Sequence, residues 1–195
     1  MGGAPLNWLV AGLGNPGPRY AATRHNIGFL ALERMARELG ARLRDAHRGS
    51  YGEASTRGGP VGLLMPQTFM NLSGESVGPA MQAGRVRAER LLVIHDEIDL
   101  PAGELRYKLG GGLAGHNGLK SIAQALGTQD FHRVRIGVGR PPAGDPRPIK
   151  AWVLSPFEPD VDVDRMAAEA AAMALDLVEA GVVDPPRRLA FEPLP

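Results

Sequence analysis

The 195 residues have the size of one large domain, and 44% of them are hydrophobic, enough for a core that needs no metal or disulfide staple. Cysteine is absent, which excludes thiol nucleophiles, CxxC redox pairs, zinc–thiolate sites and disulfides. The formal net charge of +1 excludes a strong overall attraction for nucleic acid, so any RNA contact has to be a local basic patch.

Along the chain, the apolar run Trp8 to Leu13 reads as a buried strand ending in glycine turns. It is too short for a signal or membrane segment, and Leu6 stands where a myristoylation start needs Ser or Thr. The reading is a soluble, cytoplasmic protein. Arg19 to Asn26 is polar loop or helix entry, and apolar residues from about His25 to Leu39 recur at helical spacing until Gly40. Tyr51 to Arg57 and Val61 to Met65 form two strands around Gly58-Gly59-Pro60. Ser73 to Ala83 is a short helix weakened by Gly74, Gly78 and Pro79. Leu91 to Ile94 is a buried strand running into His95-Asp96-Glu97, and Glu104 to Leu109 alternates like an exposed one. Three glycines from Gly110 lead into a helix from His116 to Leu126, and Val134 to Val138 is a further strand. Pro141 to Pro148 is a loop, Asp162 to Ala180 a long closing helix, and Pro185-Pro186 ends regular structure. This alternation predicts one domain over residues 1–195, a three-layer α/β/α fold with a twisted, mainly parallel or mixed central sheet.

Ligands of such sheets sit beyond the carboxyl ends of the strands, where the polar clusters after Leu13 and Ile94 fall. Gly12 to Gly17 matches GxGxxG, but Pro16 and Pro18 interrupt the expected helix start, and Glu33 falls inside a helix. The turn either meets a backbone need for glycine or holds Asn15 at the sheet edge. His25 alone reads as a surface or capping residue, although an imidazole suits a general base near neutrality. Asp96, in its acidic cluster, orients an imidazole, binds a cation or shapes a turn; no His-x-His or His-x-x-x-His spacing favours metal. The glycine run before His116-Asn117 offers backbone N–H groups to an anion or polar ligand, without the ending of a Walker loop. Asn71, among large apolar neighbours, is turn-forming or ligand-facing. Arg106 with Lys108, and Arg133 with Arg135, each share a strand face; they are solvated surface or a grip on phosphates.

Six segments, taken in order from about Leu9 to Phe157, resemble the bacterial peptidyl-tRNA hydrolase family: Gly-Leu-Gly-Asn-Pro-Gly, Arg-His-Asn-Ile-Gly, Pro-Gln-Thr-Phe-Met-Asn-Leu-Ser-Gly, His-Asp-Glu-Ile-Asp-Leu-Pro, Gly-His-Asn-Gly and Phe-His-Arg-Val-Arg-Ile-Gly-Val-Gly. The resemblance implies a monomer that acts on peptidyl-tRNA without metal or other cofactor. It makes His25 the catalytic base and Asp96 its partner acid. It makes Asn15, Asn71 and Asn117 the carboxamides that hold substrate or place water. Tyr20 then lies near the tRNA end, Phe69 and Met70 line the peptide groove, and Gly115 and His116 form a mobile cleft edge. Lys108 and Arg135 clamp acceptor-stem phosphate. Leu113, Ala114 and Arg106 depart from the common pattern, and the part from Asp160 is only loosely similar. Two other classes stay open: a non-hydrolytic RNA-binding relative, and a nucleotide-dependent oxidoreductase using Gly12 to Gly17.

Overall fold

A computed structural model of the chain describes residues 5–181. The strands are β1 (Trp8–Gly12), β2 (Arg44–Ala46), β3 (Gly49–Thr56), β4 (Gly59–Pro66), β5 (Leu91–Glu97), β6 (Leu105–Leu109) and β7 (His132–Gly137). They form one sheet in the order β2-β3-β4-β1-β5-β7-β6. The four central strands, β4, β1, β5 and β7, run parallel, and β2, β3 and β6 pair antiparallel at the edges. Every residue of β1 and β5 is buried, as strands covered on both faces require, and in β5 this includes the polar end His95-Asp96-Glu97.

Helices α1 (Ile27–Glu38) and α5 (Val163–Ala180) cover one face; α2 (Gly74–Gly84) and α3 (Asn117–Leu126) cover the other. The apolar stripe of α1 (Ile27, Ala31, Leu32, Met35) packs with Met166, Ala170, Met173 and Leu177 of α5 against Val10, Ile94 and Val134. On the opposite face, Val77 and Met81 join Leu119 and Ile122 over Leu9, Leu64 and Val93. Despite Gly74, Gly78 and Pro79, α2 forms because its buried face packs. Gly74 also lies so close to the Ser121 carbonyl that a side chain there would collide with backbone. Asp162 caps α5 by accepting from Arg165 N–H at 3.0 Å, and Gly181 ends it at φ 69°. Among the described residues no helix is long and apolar enough to cross a membrane.

Two elements were not expected from the sequence. Strand β2 is a short, largely exposed edge that exists by pairing with β3. Helix α4 (Ile149–Val153) follows the Pro141 to Pro148 loop and buries Trp152 and Val153. The expectation for Pro185-Pro186 lies outside the described residues.

Candidate active site

The chain leaves β1 toward one side of the sheet, returns along β4, and crosses to β5 on the other side of β1. A crevice opens where strand order reverses in this way. The ends of β1 and β5 are in register there, Gly12 beside Ile94, with Leu13 N–H donating to the Ile94 carbonyl at 2.9 Å. Two glycines let α1 press into this point. A Cβ on Gly28 would lie 2.6 Å from the Leu13 carbonyl oxygen, and one on Gly12 would lie 2.7 Å from Leu32 Cβ. The start of α1 therefore sits on the strand ends, and the 3-10 turn Arg24–Asn26 before it carries His25 over Asp96.

Asp96 accepts two imidazoles. His25 Nδ1 lies 2.8 and 2.9 Å from its two carboxylate oxygens, and His116 Nε2 lies 2.9 Å from Oδ1. The His116 ring is also the N-cap of α3: its Nδ1 accepts from Gly118 and Leu119 N–H, at 3.2 and 3.4 Å. A nitrogen that accepts two N–H bonds carries no proton, so the proton of His116 is on Nε2, facing Asp96. His25 likewise donates Nδ1–H to the carboxylate, which leaves its Nε2 lone pair free; no described residue bonds to Nε2. Burial draws the His25 pKa down, but the Asp96 charge and hydrogen bond outweigh it and raise the pKa above the ordinary histidine value. Burial pushes Asp96 up, yet the two imidazoles hold its carboxyl well below the usual carboxylate range. Asp96 is therefore a fixed anion at neutral pH.

Around this trio lies a cleft of about 530 Å³, lined also by Asn15, Tyr20, Phe69, Met70, Asn71, Gly115 and Asn117. Asn15 is held rigidly. Its Oδ1 accepts from Met70 N–H at 2.8 Å, and its main chain exchanges two 2.9 Å bonds with the Asn26 carboxamide. With Oδ1 engaged, the Asn15 NH₂ is the end presented to the cleft. Asn71 is exposed in the 3-10 turn Met70–Leu72, beside buried Met70, and Asn117 is the exposed first residue of α3. Phe69 is 54% exposed and meets Tyr20 edge-on at 6.4 Å.

Several sequence expectations change. The glycines of Gly12 to Gly17 serve close packing: Gly14 lies against the Phe29 ring, Gly17 has φ 98°, and no helix starts before Arg24. The geometry of a dinucleotide loop is absent, and Glu33 is an exposed residue within α1. His116 lies on the cleft floor, held by Asp96 and two main-chain N–H groups, where a mobile edge was expected. Arg133 is not a phosphate ligand. It is buried and donates to the carbonyls of Gly110, Gly111 and Gly112, which braces the glycine loop from below. Arg135 is mostly buried and lies 3.6 Å from Glu97, whereas Lys108, against Gly111, has no ion pair among the described residues. The wall formed by Ile149, Lys150, Val153 and Leu154 was missed, although Ile149, Trp152 and Val153 repeat at helical spacing. His95 was missed as well. It is buried, donates Nδ1–H to the Asp96 carbonyl at 2.7 Å, and meets the His116 ring edge-on at 4.9 Å.

The trio is also where a cation could be imagined, since one ligand atom from each of His25, Asp96 and His116 lies within 4.8 Å of the others. The three come from separate segments, so no sequence spacing announces them. The two nitrogens that face Asp96, His25 Nδ1 and His116 Nε2, are already held as donors to it, and His116 could not move its proton to Nδ1 without losing its cap.

An imidazole with one nitrogen fixed on a buried carboxylate and the other open to a cleft that a held carboxamide also lines has the chemistry that general-base hydrolysis needs. The peptidyl-tRNA hydrolase family model matches residues 9–190, beyond the Phe157 limit of the resemblance seen in the motifs. The chain is 46% identical over 188 residues to a peptidyl-tRNA hydrolase of Mycobacterium sp. (strain KMS), covering 93% of this chain and 95% of that one. It is 50% identical over 153 residues to that of Geotalea uraniireducens (strain Rf4), covering 78% of each. The crystal structure of peptidyl-tRNA hydrolase from Acinetobacter baumannii superposes with a TM-score of 0.81 at 37% identity, covering 93% of both chains. The chain belongs to the peptidyl-tRNA hydrolase family.

Proposed function

We propose that this chain, as one catalytic unit and a cytoplasmic monomer, hydrolyses the ester between a peptide and the ribose of tRNA without a metal or other cofactor. The observation that carries the reading is the His25 Nδ1–Asp96 contact at 2.8 Å, which commits one ring nitrogen and leaves the other to act as base. His25 Nε2 takes a proton from water as the water oxygen attacks the ester carbonyl. The Asn15 NH₂ receives the oxyanion that develops, a type of contact worth roughly 100- to 1000-fold in kcat. Collapse of the tetrahedral intermediate breaks the bond to the ribose oxygen, and the His25 imidazolium returns the proton to that leaving group. Asp96 stays ionised throughout and stabilises the imidazolium.

Asn71 and Asn117 position peptide and water, Tyr20, Phe69 and Met70 form the apolar side of the groove, and Gly115 and His116 shape its floor and edge. Lys108 and Arg135 meet phosphates; Lys108 contributes the greater share, because Glu97 already offsets the charge of Arg135. A non-hydrolytic RNA-binding role would leave the carboxylate-fixed imidazole without purpose. The deciding experiment is release of peptide from an N-acyl-aminoacyl-tRNA, with and without chelator. His25→Asn should abolish release while tRNA binding survives, and chelator should change nothing. Turnover near that of the unaltered protein in the variant removes His25 from the mechanism.

A further inference from the structure

Of the residues lining the cleft, Lys150 is the one Lys or Arg. It is exposed on α4, and its ammonium forms no hydrogen bond or ion pair with any described residue. Its helix is nonetheless firmly held. Trp152 Nε1–H donates to the Gly139 carbonyl at 2.8 Å, and the buried Arg24 guanidinium lies 3.7 Å from the centre of the Trp152 ring. Arg24 in turn donates to Ser155 Oγ at 2.7 Å and pairs with Glu158, which ties α4 to the turn carrying His25. An unpaired ammonium is thus kept at the lip of the reaction cleft on a rigid support. Ionised Asp96 is already matched by its two imidazoles, and Glu97 faces Arg135. Neither acid needs Lys150.

What such a cation recognises follows from the chemistry of an ester on an RNA 3′ end. Next to the scissile bond, the peptide offers an uncharged main chain and side chains that vary. The charges present in every substrate are the phosphodiesters of the terminal nucleotides. From this geometry we infer that Lys150 binds a phosphodiester of the single-stranded 3′ end, adjacent to the ribose that carries the ester. This contact is separate from the one made by Lys108 and Arg135, which stand on β6 and β7 beside the glycine loop. The inference rests on the function proposed above and assigns Lys150 to positioning the substrate.

Two substrates separate the possibilities: N-acetyl-phenylalanyl-tRNA, and N-acetyl-phenylalanyl-adenosine, which has the ester but no phosphodiester. Lys150→Ala should lower kcat/KM on the tRNA about three- to fivefold at low salt, the size of one screened ion pair. Lys150→Arg should restore it. The slope of log KM against log salt on the tRNA should flatten by about 0.7, as expected for one phosphate of a single strand. On the adenosine ester the variant should match the unaltered protein. Equal losses on both substrates would place Lys150 against the peptide and overturn the inference. An unchanged tRNA salt slope would overturn it too. Failure of the unaltered protein to cleave the tRNA ester would refute the hydrolase reading itself.

Discussion

Replacing Asp96 with Asn tests the centre of the site, because the change keeps shape and removes charge. The carboxylate faces the His25 ring at 2.8 and 2.9 Å and is almost fully buried. Taking the charge centres of imidazolium and carboxylate as about 4 Å apart, at an effective dielectric of about 20, the attraction lost is about 4 kcal/mol. That energy acts when His25 holds the proton of the attacking water, so kcat should fall roughly 1000-fold. A second effect has the same sign. An Asn offers one carbonyl oxygen and one NH₂ to two imidazole N–H donors. If the NH₂ faces His25, the ring must carry its proton on Nε2 and can no longer act as base. Single-turnover release from N-acetyl-phenylalanyl-tRNA measures the loss, and its pH profile gives a second reading. In the unaltered protein the raised His25 pKa means activity falls on acidification from above the ordinary histidine value. In Asp96→Asn, burial alone acts on the ring, so the residual activity should persist to lower pH. Turnover within threefold of the unaltered protein, or an acid limb that does not move, would refute the assignment of charge stabilisation to Asp96.

Three further outcomes are expected of the same site and its supports. His116→Asn should retain the α3 cap, since Asn is a good N-cap, and keep stability within about 1 kcal/mol; it should still lower kcat, because Asp96 loses a donor. A thermal melt beside a kinetic assay separates the two, and a large loss of stability with normal kcat would contradict the role given to this ring. Burial pulls the His95 pKa down to about 3, so the folded state excludes a proton that the unfolded chain binds below the ordinary value of 6.5. Stability should therefore fall with pH through this window, by about 2 kcal/mol at pH 5, an acid sensitivity that His95→Gln should relieve. His25 shifts the opposite way, so the quantity to measure is the difference between variant and unaltered protein in urea unfolding at pH 7 and pH 5. Gly28→Ala would drive a methyl into the Leu13 backbone, 2.6 Å from its carbonyl oxygen, and should cost about 3 kcal/mol or more in denaturant unfolding. A neutral result would mean that α1 can move away from the strand ends at no cost.

The elements that were legible in the sequence are those whose signal is local. The aliphatic runs of β1 and β5, the glycine-linked hairpin of β3 and β4, and the stripes of α1 and α5 announce themselves by period and by their ends. Strand β2 has no such pattern, because an exposed edge is defined by its partner. The site was legible as a set of motifs and not as a geometry. His25 and Asp96 stand 71 positions apart, and His116 reaches the same carboxylate from another loop. Arg133 and Arg135 look alike on the page, yet one is buried beneath three glycine carbonyls and the other faces Glu97.

Composition and periodicity by themselves determined a covered α/β sheet, and the run of motifs determined the family. Tertiary structure alone decided which imidazole nitrogen is free, which end of Asn15 meets the cleft, and which basic residues are bracing and which are available. The reason is that period and turn chemistry act between near neighbours in the chain. Protonation, amide orientation and the burial of charge are fixed by groups from distant segments that only the folded sheet brings together.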